Sequence, residues 1–200
     1  MERQAKNAGY TAGAELEDAI AALFAGFSNT VGASTTNLAD SEIRQAIATL
    51  ANGNVDGMTQ DGTWSQDVAF FFAPNVMWRQ IMGLDRFTLL TNTNGADPVL
   101  KGAVGMLYGI PVFVSTSVPF VSGTTGKYNC LAARDAIHFA TQALGAGGSM
   151  GQMVGSEGIR VQSNYIPQYL GTLTTADLCF GVIENRDAAG VAILSSATRA

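Results

Sequence analysis

Ser149 stands in the only frame of this chain that matches a nucleophilic motif. Gly147-Gly148-Ser149-Met150-Gly151 fits G-x-S-x-G, the sharp turn that presents a serine hydroxyl above a hydrolase sheet. That motif needs a strand before the serine, a helix after it, and an acid and then a histidine downstream. The single histidine, His138, lies upstream, and the flanks are glycine-rich. Leu144 to Gly158 holds six glycines and one charge, Glu157, so the sequence predicts a flexible loop here. Ser122-Gly123-Thr124-Thr125-Gly126-Lys127 has the outline of a phosphate-binding loop. It carries Val121 where the first glycine belongs and Tyr128 where a serine or threonine should follow the lysine. His138, between Ile137 and Phe139, reads as structural or surface. Arg134 and Asp135 are adjacent in a turn, where an ion pair contributes little. Cys130 and Cys179 are far apart, and with one histidine they make no zinc site of the usual spacing; the expectation is two buried free thiols. The residues therefore give no catalytic, cofactor-binding or metal set.

Composition points to association. Of 200 residues, 47% are hydrophobic and 14% charged, against about 25% charged in ordinary soluble domains. Few charges leave a neutral or apolar surface, and such surfaces tend to be covered in oligomers. The length suits one domain, or one with a lobe. A net charge of −5 without a basic cluster argues against tight nucleic-acid binding. The first twenty residues carry Glu2, Arg3, Lys6, Glu15, Glu17 and Asp18, with no apolar core of a signal peptide. No uncharged run reads as a membrane helix. These features predict a cytosolic, reducing location.

The elements that position these residues follow from periodicity. Glu2 to Phe27 reads as a helix, with Leu16, Ile20, Leu23, Phe24 and Phe27 on one face. Gly9 and Gly13 weaken its first half by about 1 kcal/mol each relative to Ala. A second helix is expected from Leu38 to Ala51, with Asn37 as its capping residue and Asn52-Gly53 as its stop. Asn54 to Gln66 holds two turn signals, Asp56-Gly57 and Asp61-Gly62. Val68 to Ala73 is a buried strand, and Pro74 opens a short helix over Asn75 to Met82. Thr88 to Pro98 is a loop. Met106 to Tyr108 and Ile110 to Thr116 are strands, the second apolar on both faces and so expected in the middle of a covered sheet. Val121 to Gly126 is a tight connection. Tyr128 to Ala133 and Ala136 to Thr141 are strands around an Arg134-Asp135 turn. Ile159 to Tyr165 is a strand, Pro167 to Gly171 a turn, Thr172 to Ile183 one long strand, and Gly190 to Leu194 a closing strand.

Four phrases together resemble the major capsid proteins of tailed bacteriophages. The first comprises Gly105, Leu107, Tyr108, Gly109, Val112, Val114, Ser115 and Pro119. The second is the strand–Pro74–helix pattern followed by Asp85, Arg86 and Phe87, with Ala73 where the family often has serine. The third is Leu131, Arg134, Asp135, Ala136, Ile137, Phe139 and Ala140. The fourth runs through Tyr165, Pro167, Tyr169, Leu170, Gly171, Phe180, Gly181, Val182, Arg186, Ala189, Val191 and Ile193. The resemblance covers Leu84 to Ile193 and extends to the first helix. It implies an α+β fold, the Hong Kong-type capsid fold shared with herpesviruses. In that fold a long spine helix and an elongated antiparallel sheet form a peripheral domain, and a compact mixed α/β axial domain gathers around the symmetry axes. On this reading 1–30 is the spine helix, 31–145 the axial domain, 146–187 the glycine loop and long peripheral strands, and 188–200 the closing strand and tail. The implied function is a structural coat protein that self-assembles into pentamers and hexamers of an icosahedral head enclosing double-stranded DNA. The implied partners are other copies of the chain, portal and scaffolding or decoration proteins, and packaged DNA by weak contact only, with no membrane, no cofactor and no enzymatic role. The implied location is the virion, assembled in the host cytoplasm. The family carries an N-terminal arm and an extended hairpin before the spine helix. The chain begins at or inside that helix, so it is expected to be a fragment or to lack those clasping elements. The alternatives are the shell protein of an encapsulin-type nanocompartment and, from a different class, a serine hydrolase using Ser149.

Overall fold

A computed structural model describes residues 2–53, 67–84, 105–123, 125–142, 151–154 and 159–197. The turns expected in 54–66, the Asp85-Arg86-Phe87 phrase, the loop at 88–98 and Ser149 lie outside the described residues. The chain divides into two compact units. One is formed by Met1–Ile20 with His138–Ile183, the other by Ala21–Ile137 with Glu184–Ala200.

The larger unit is built on a mixed sheet. Helix α1 (Glu2–Ala22) runs on into a 3-10 turn at Leu23–Ala25. Strand β1 (Thr30–Gly32), helix α2 (Asp40–Asn52) and strand β2 (Val68–Phe72) follow. Helix α3 opens with Pro74–Val76 and continues as a π-helical turn, Met77–Ile81. Strands β3 (Met106–Leu107), β4 (Ile110–Val114), β5 (Phe120–Val121) and β6 (Gly126–Ala133) come next. The strand order is β1, then β12 (Gly190–Ser196), then β6, β2, β4 and β3, with β5 also on β6. β1 with β12 and β2 with β4 are parallel pairs; the other pairs are antiparallel.

Register sorts the core. Phe70 is opposite Leu131, which is opposite Val191, so these three share a face. All three are fully buried, with Val68, Phe72 and Ile193. Phe71, Cys130 and Ala192 form the other face, where the Phe24 ring packs on Phe71 at 5.6 Å. Gly190 is required on this side, because a Cβ there would stand 2.3 Å from the Phe27 ring. Gly32 is required for a second reason: its φ is +83° and a Cβ would meet the Leu194 carbonyl oxygen at 2.4 Å.

Helix α2 buries Ile43, Ala46 and Leu50 on one stripe. Its start differs from expectation. Ala39 is the N-cap, and the Glu42 carboxylate accepts the Ala39 N–H at 2.9 Å; Asn37 is exposed and lies outside the helix. Asp40 and Glu42 also place negative charge at the helix N-terminus, where the dipole favours it. Gly53 closes the helix by donating to the Thr49 and Leu50 carbonyls. Asn129, fully buried on β6, ties three elements. Its amide nitrogen donates to the Ile193 carbonyl (3.1 Å) and the Ser195 hydroxyl (2.8 Å), and its oxygen accepts the Ala73 N–H (3.0 Å). Gln80 of α3 similarly accepts the Leu38 N–H and donates to the Ser196 carbonyl, both at 2.8 Å.

The smaller unit holds the first part of α1 and two thin sheets. Strands β8 (Gly151–Val154), β9 (Ile159–Ile166) and β10 (Gly171–Asp177) form an antiparallel three-stranded sheet in the order β10-β9-β8. Strands β7 (Ile137–Gln142) and β11 (Cys179–Glu184) form a two-stranded one. A 3-10 turn at Pro167–Tyr169 connects β9 to β10. At the other end of that hairpin, Arg160 donates to the Asp177 carboxylate through Nε (2.9 Å) and Nη2.

Three strand expectations change. The predicted continuous strand from Thr172 to Ile183 is two strands, broken at Leu178, because the chain changes partner there from β9 to β7. The stretch read as loop contains β8, which pairs from Gly151 through Val154 with β9. β4 lies between β2 and β3, but β3 pairs only with Ile110 and Pro111. Past that point, among the described residues, β4 pairs with β2 alone, apart from the Val112 N–H donating to the Gly105 carbonyl at 3.1 Å, and Phe113 and Val114 are exposed rather than covered.

Candidate assembly surfaces

The side chains with chemical potential are dispersed. Cys130 is buried and free, and burial pushes its thiol pKa far above the usual range. Cys179 is exposed, contrary to the expectation of two buried thiols, because it lies on the outward-facing side of β11, where exposed and half-buried residues alternate. His138 is exposed on β7. Lys127 is buried, with Nζ donating to the Val118 carbonyl at 2.5 Å and lying 3.5 Å from the Phe120 ring centroid. Desolvation lowers its pKa. Its ammonium anchors the β5–β6 turn, a structural use of the lysine in the phosphate-loop-like phrase. Among the described residues no group of three His, Cys, Asp or Glu side chains could hold a metal ion. Among the described residues no helix is long and apolar enough to cross a membrane.

What the structure does gather is exposed apolar surface, and two stretches of it bear on association. In the larger unit it lies at the β3–β4 edge. Met106 is opposite Pro111, and Pro111 and Phe113 alternate onto the same face. Phe113 is opposite Phe71, and their rings stack at 5.6 Å. Phe24, Phe71 and Phe113 thus form a ladder that begins in the core and ends at the surface, where Met106 and Phe113 stand exposed. The β3–β4 turn is fixed by backbone geometry. Tyr108 and Gly109 both have positive φ, at 52° and 81°, the conformation of a two-residue hairpin turn that matches strand twist. The Tyr108 hydroxyl donates to the Asp40 carboxylate at the start of α2, which also pairs with Arg44 at 3.0 Å.

In the smaller unit the exposed surface is the β9–β10 hairpin. Tyr165 and Leu173 are exposed along it, and Tyr169 and Leu170 at its tip are 81% and 82% exposed. Leu170 has φ 48° and ψ 36°. A left-handed leucine costs about 1–2 kcal/mol that glycine avoids, and water gives nothing back for exposing it. An open groove of about 610 Å³ lies nearby in the same unit, lined by Thr11, Ala12, Glu15, Ala176, Asp177, Leu178 and Phe180. Sequence reasoning reached Tyr108, Tyr169 and Leu170 only through the capsid resemblance. Ser-Gly and Asn-Gly pairs mark turns, but nothing in the letters marks a leucine as left-handed.

No known family profile and no curated protein matches the sequence. Solved structures do match. A structure of Mycobacterium phage Che8 aligns over 96% of this chain with a TM-score of 0.73 at 13% identity. The mature capsid of bacteriophage PhiM1 aligns over 82% with a TM-score of 0.55 at 10% identity. The capsid of Ralstonia phage GP4 aligns over 86% with a TM-score of 0.51 at 16% identity. The chain spans 62%, 50% and 52% of those chains respectively. Its fold is therefore the tailed-phage capsid fold, as the sequence resemblance implied.

Proposed function

We propose that the chain is a structural subunit of a phage head: a coat protein whose work is self-association into a closed shell around double-stranded DNA. The observation that carries this reading is the fold match over 96% of the chain. Its reach is strengthened by the kind of surface the chain exposes, aromatic and aliphatic side chains on a molecule with few charges. Identical subunits close into rings, and rings into shells, when one surface patch meets a complementary one at a fixed angle. Each contact can be weak, because many act together.

In this assignment the unit of Ala21–Ile137 with Glu184–Ala200 takes the axial role, and its β3–β4 edge meets the next subunit around a ring. The unit of Met1–Ile20 with His138–Ile183 takes the peripheral role, with α1 as the spine. The location is the virion, and portal, scaffolding or decoration proteins are further partners of the assembled shell. No enzymatic step belongs to this function. DNA is enclosed rather than gripped, consistent with the net charge of −5. Sedimentation velocity across a concentration series tests the reading. Discrete oligomers that grow with concentration are expected. A monomer at every concentration overturns it.

A further inference from the structure

We propose that the outer edge of β10 is an assembly edge that pairs, antiparallel and by main-chain hydrogen bonds, with β10 of a second copy. This rests on the shell reading above and names the surface that one ring offers the next.

An unpaired strand edge is a template for another strand, and proteins that stay apart guard it with charges, proline, a bulge or shortness. β10 has no proline and no bulge, is not short, and its one charge, Asp177, is its last residue and is bound by Arg160. It is the end strand of its sheet among the described residues. Seven one-to-one pairs with β9, from Gly171–Ile166 to Asp177–Arg160, leave no bulge. Residues 161–176 contain no Asp, Glu, Lys or Arg, and β10 contains no proline. The two charges that bracket the stretch, Arg160 and Asp177, bind each other. At seven residues β10 is longer than a usual protected edge.

The occupant is a second copy for two reasons. The fold occurs in shells built of repeated subunits. The strand is also compatible with itself: GTLTTAD read against its own reverse centres on Thr174 and sets uncharged residues opposite one another, apart from Asp177 opposite Gly171. Threonine pairs across antiparallel strands are favourable. Such a contact is two-fold and isologous, so each edge covers the other.

Two variants of the full chain test this. Thr172 and Thr175 are exposed, and Thr172→Lys with Thr175→Lys places like charges on both edges. The double variant is expected to raise the concentration for half-association tenfold or more, with far-UV dichroism and melting unchanged. Independently, Thr174→Cys in a Cys179→Ser background is expected to give a disulfide-linked dimer on mild oxidation. Paired Cα atoms in antiparallel strands are about 4.5–5.5 Å apart, within disulfide reach. Tyr169→Cys in the same background should give no such dimer. Unchanged association of the lysine variant, or cross-linking through position 169 and not 174, overturns the β10 edge and leaves the shell reading standing. A wild-type chain that stays monomeric overturns both.

Discussion

β12 and β10 are both seven-residue strands that begin with glycine, yet they stand in opposite situations. β12, GVAILSS, lies between β1 and β6 and is buried along nearly its whole length. β10, GTLTTAD, pairs among the described residues on one side only and is half-buried or exposed throughout. Burying a large aliphatic side chain contributes about 1.5–3 kcal/mol. β12 collects that within the chain through Val191 and Ile193, whereas β10 leaves Leu173 in water. The difference teaches where each part takes its stability. The larger unit is stabilised by its own core. The hairpin of the smaller unit is held by β9 and the Arg160–Asp177 pair, and on the proposal above a second copy completes its burial.

The contrast can be broken from either side. The largest effect belongs to Phe70→Ala beside β12's neighbour β6. It removes a fully buried ring, and denaturant unfolding should show a loss of about 3–5 kcal/mol. Next is Asn129→Ala, which leaves the buried Ala73 N–H and Ile193 carbonyl without their side-chain partner. A loss of about 1–3 kcal/mol is expected in the same assay. At the hairpin tip the sign reverses. Leu170→Gly relieves a left-handed leucine, so stability should hold or rise by up to about 1 kcal/mol while association weakens. A fall in stability comparable to that of Asn129→Ala would mean that the tip is held by its own chain. The smallest perturbation is chemical. A thiol reagent at neutral pH should label Cys179 rapidly and spare Cys130 until denaturant is added, because Cys130 is buried and held as the neutral thiol. Equal labelling of both would contradict the closed core around β6.

The same contrast explains what could be read from the letters. β2, β6 and β12 are apolar runs whose burial is decided by composition, and the sequence locates them to within one or two residues. α1 and α2 follow from their stripes. What escaped depends on partners. The break at Leu178 is invisible to period-two alternation, which continues through it. β8 looked like loop because its neighbourhood is rich in glycine, and only pairing with β9 makes it a strand. The alternation of Ile110, Val112 and Val114 with Phe113 predicts a covered strand, but among the described residues β3 pairs with Ile110 and Pro111 only, and Phe113 and Val114 are exposed. Cys130 and Cys179 are alike as letters and differ only in that β6 is central and β11 is not. Apolar character was legible; whether this chain or another one covers it was not. That is why the β3–β4 surface lies where the expectation of a covered strand failed.

Negative-stain electron microscopy of the purified full chain tests the central claim most directly. The account predicts discrete oligomers of uniform size, lost or reduced in the Thr172→Lys, Thr175→Lys variant. A field of isolated particles the size of single subunits, unchanged by concentration, would contradict it.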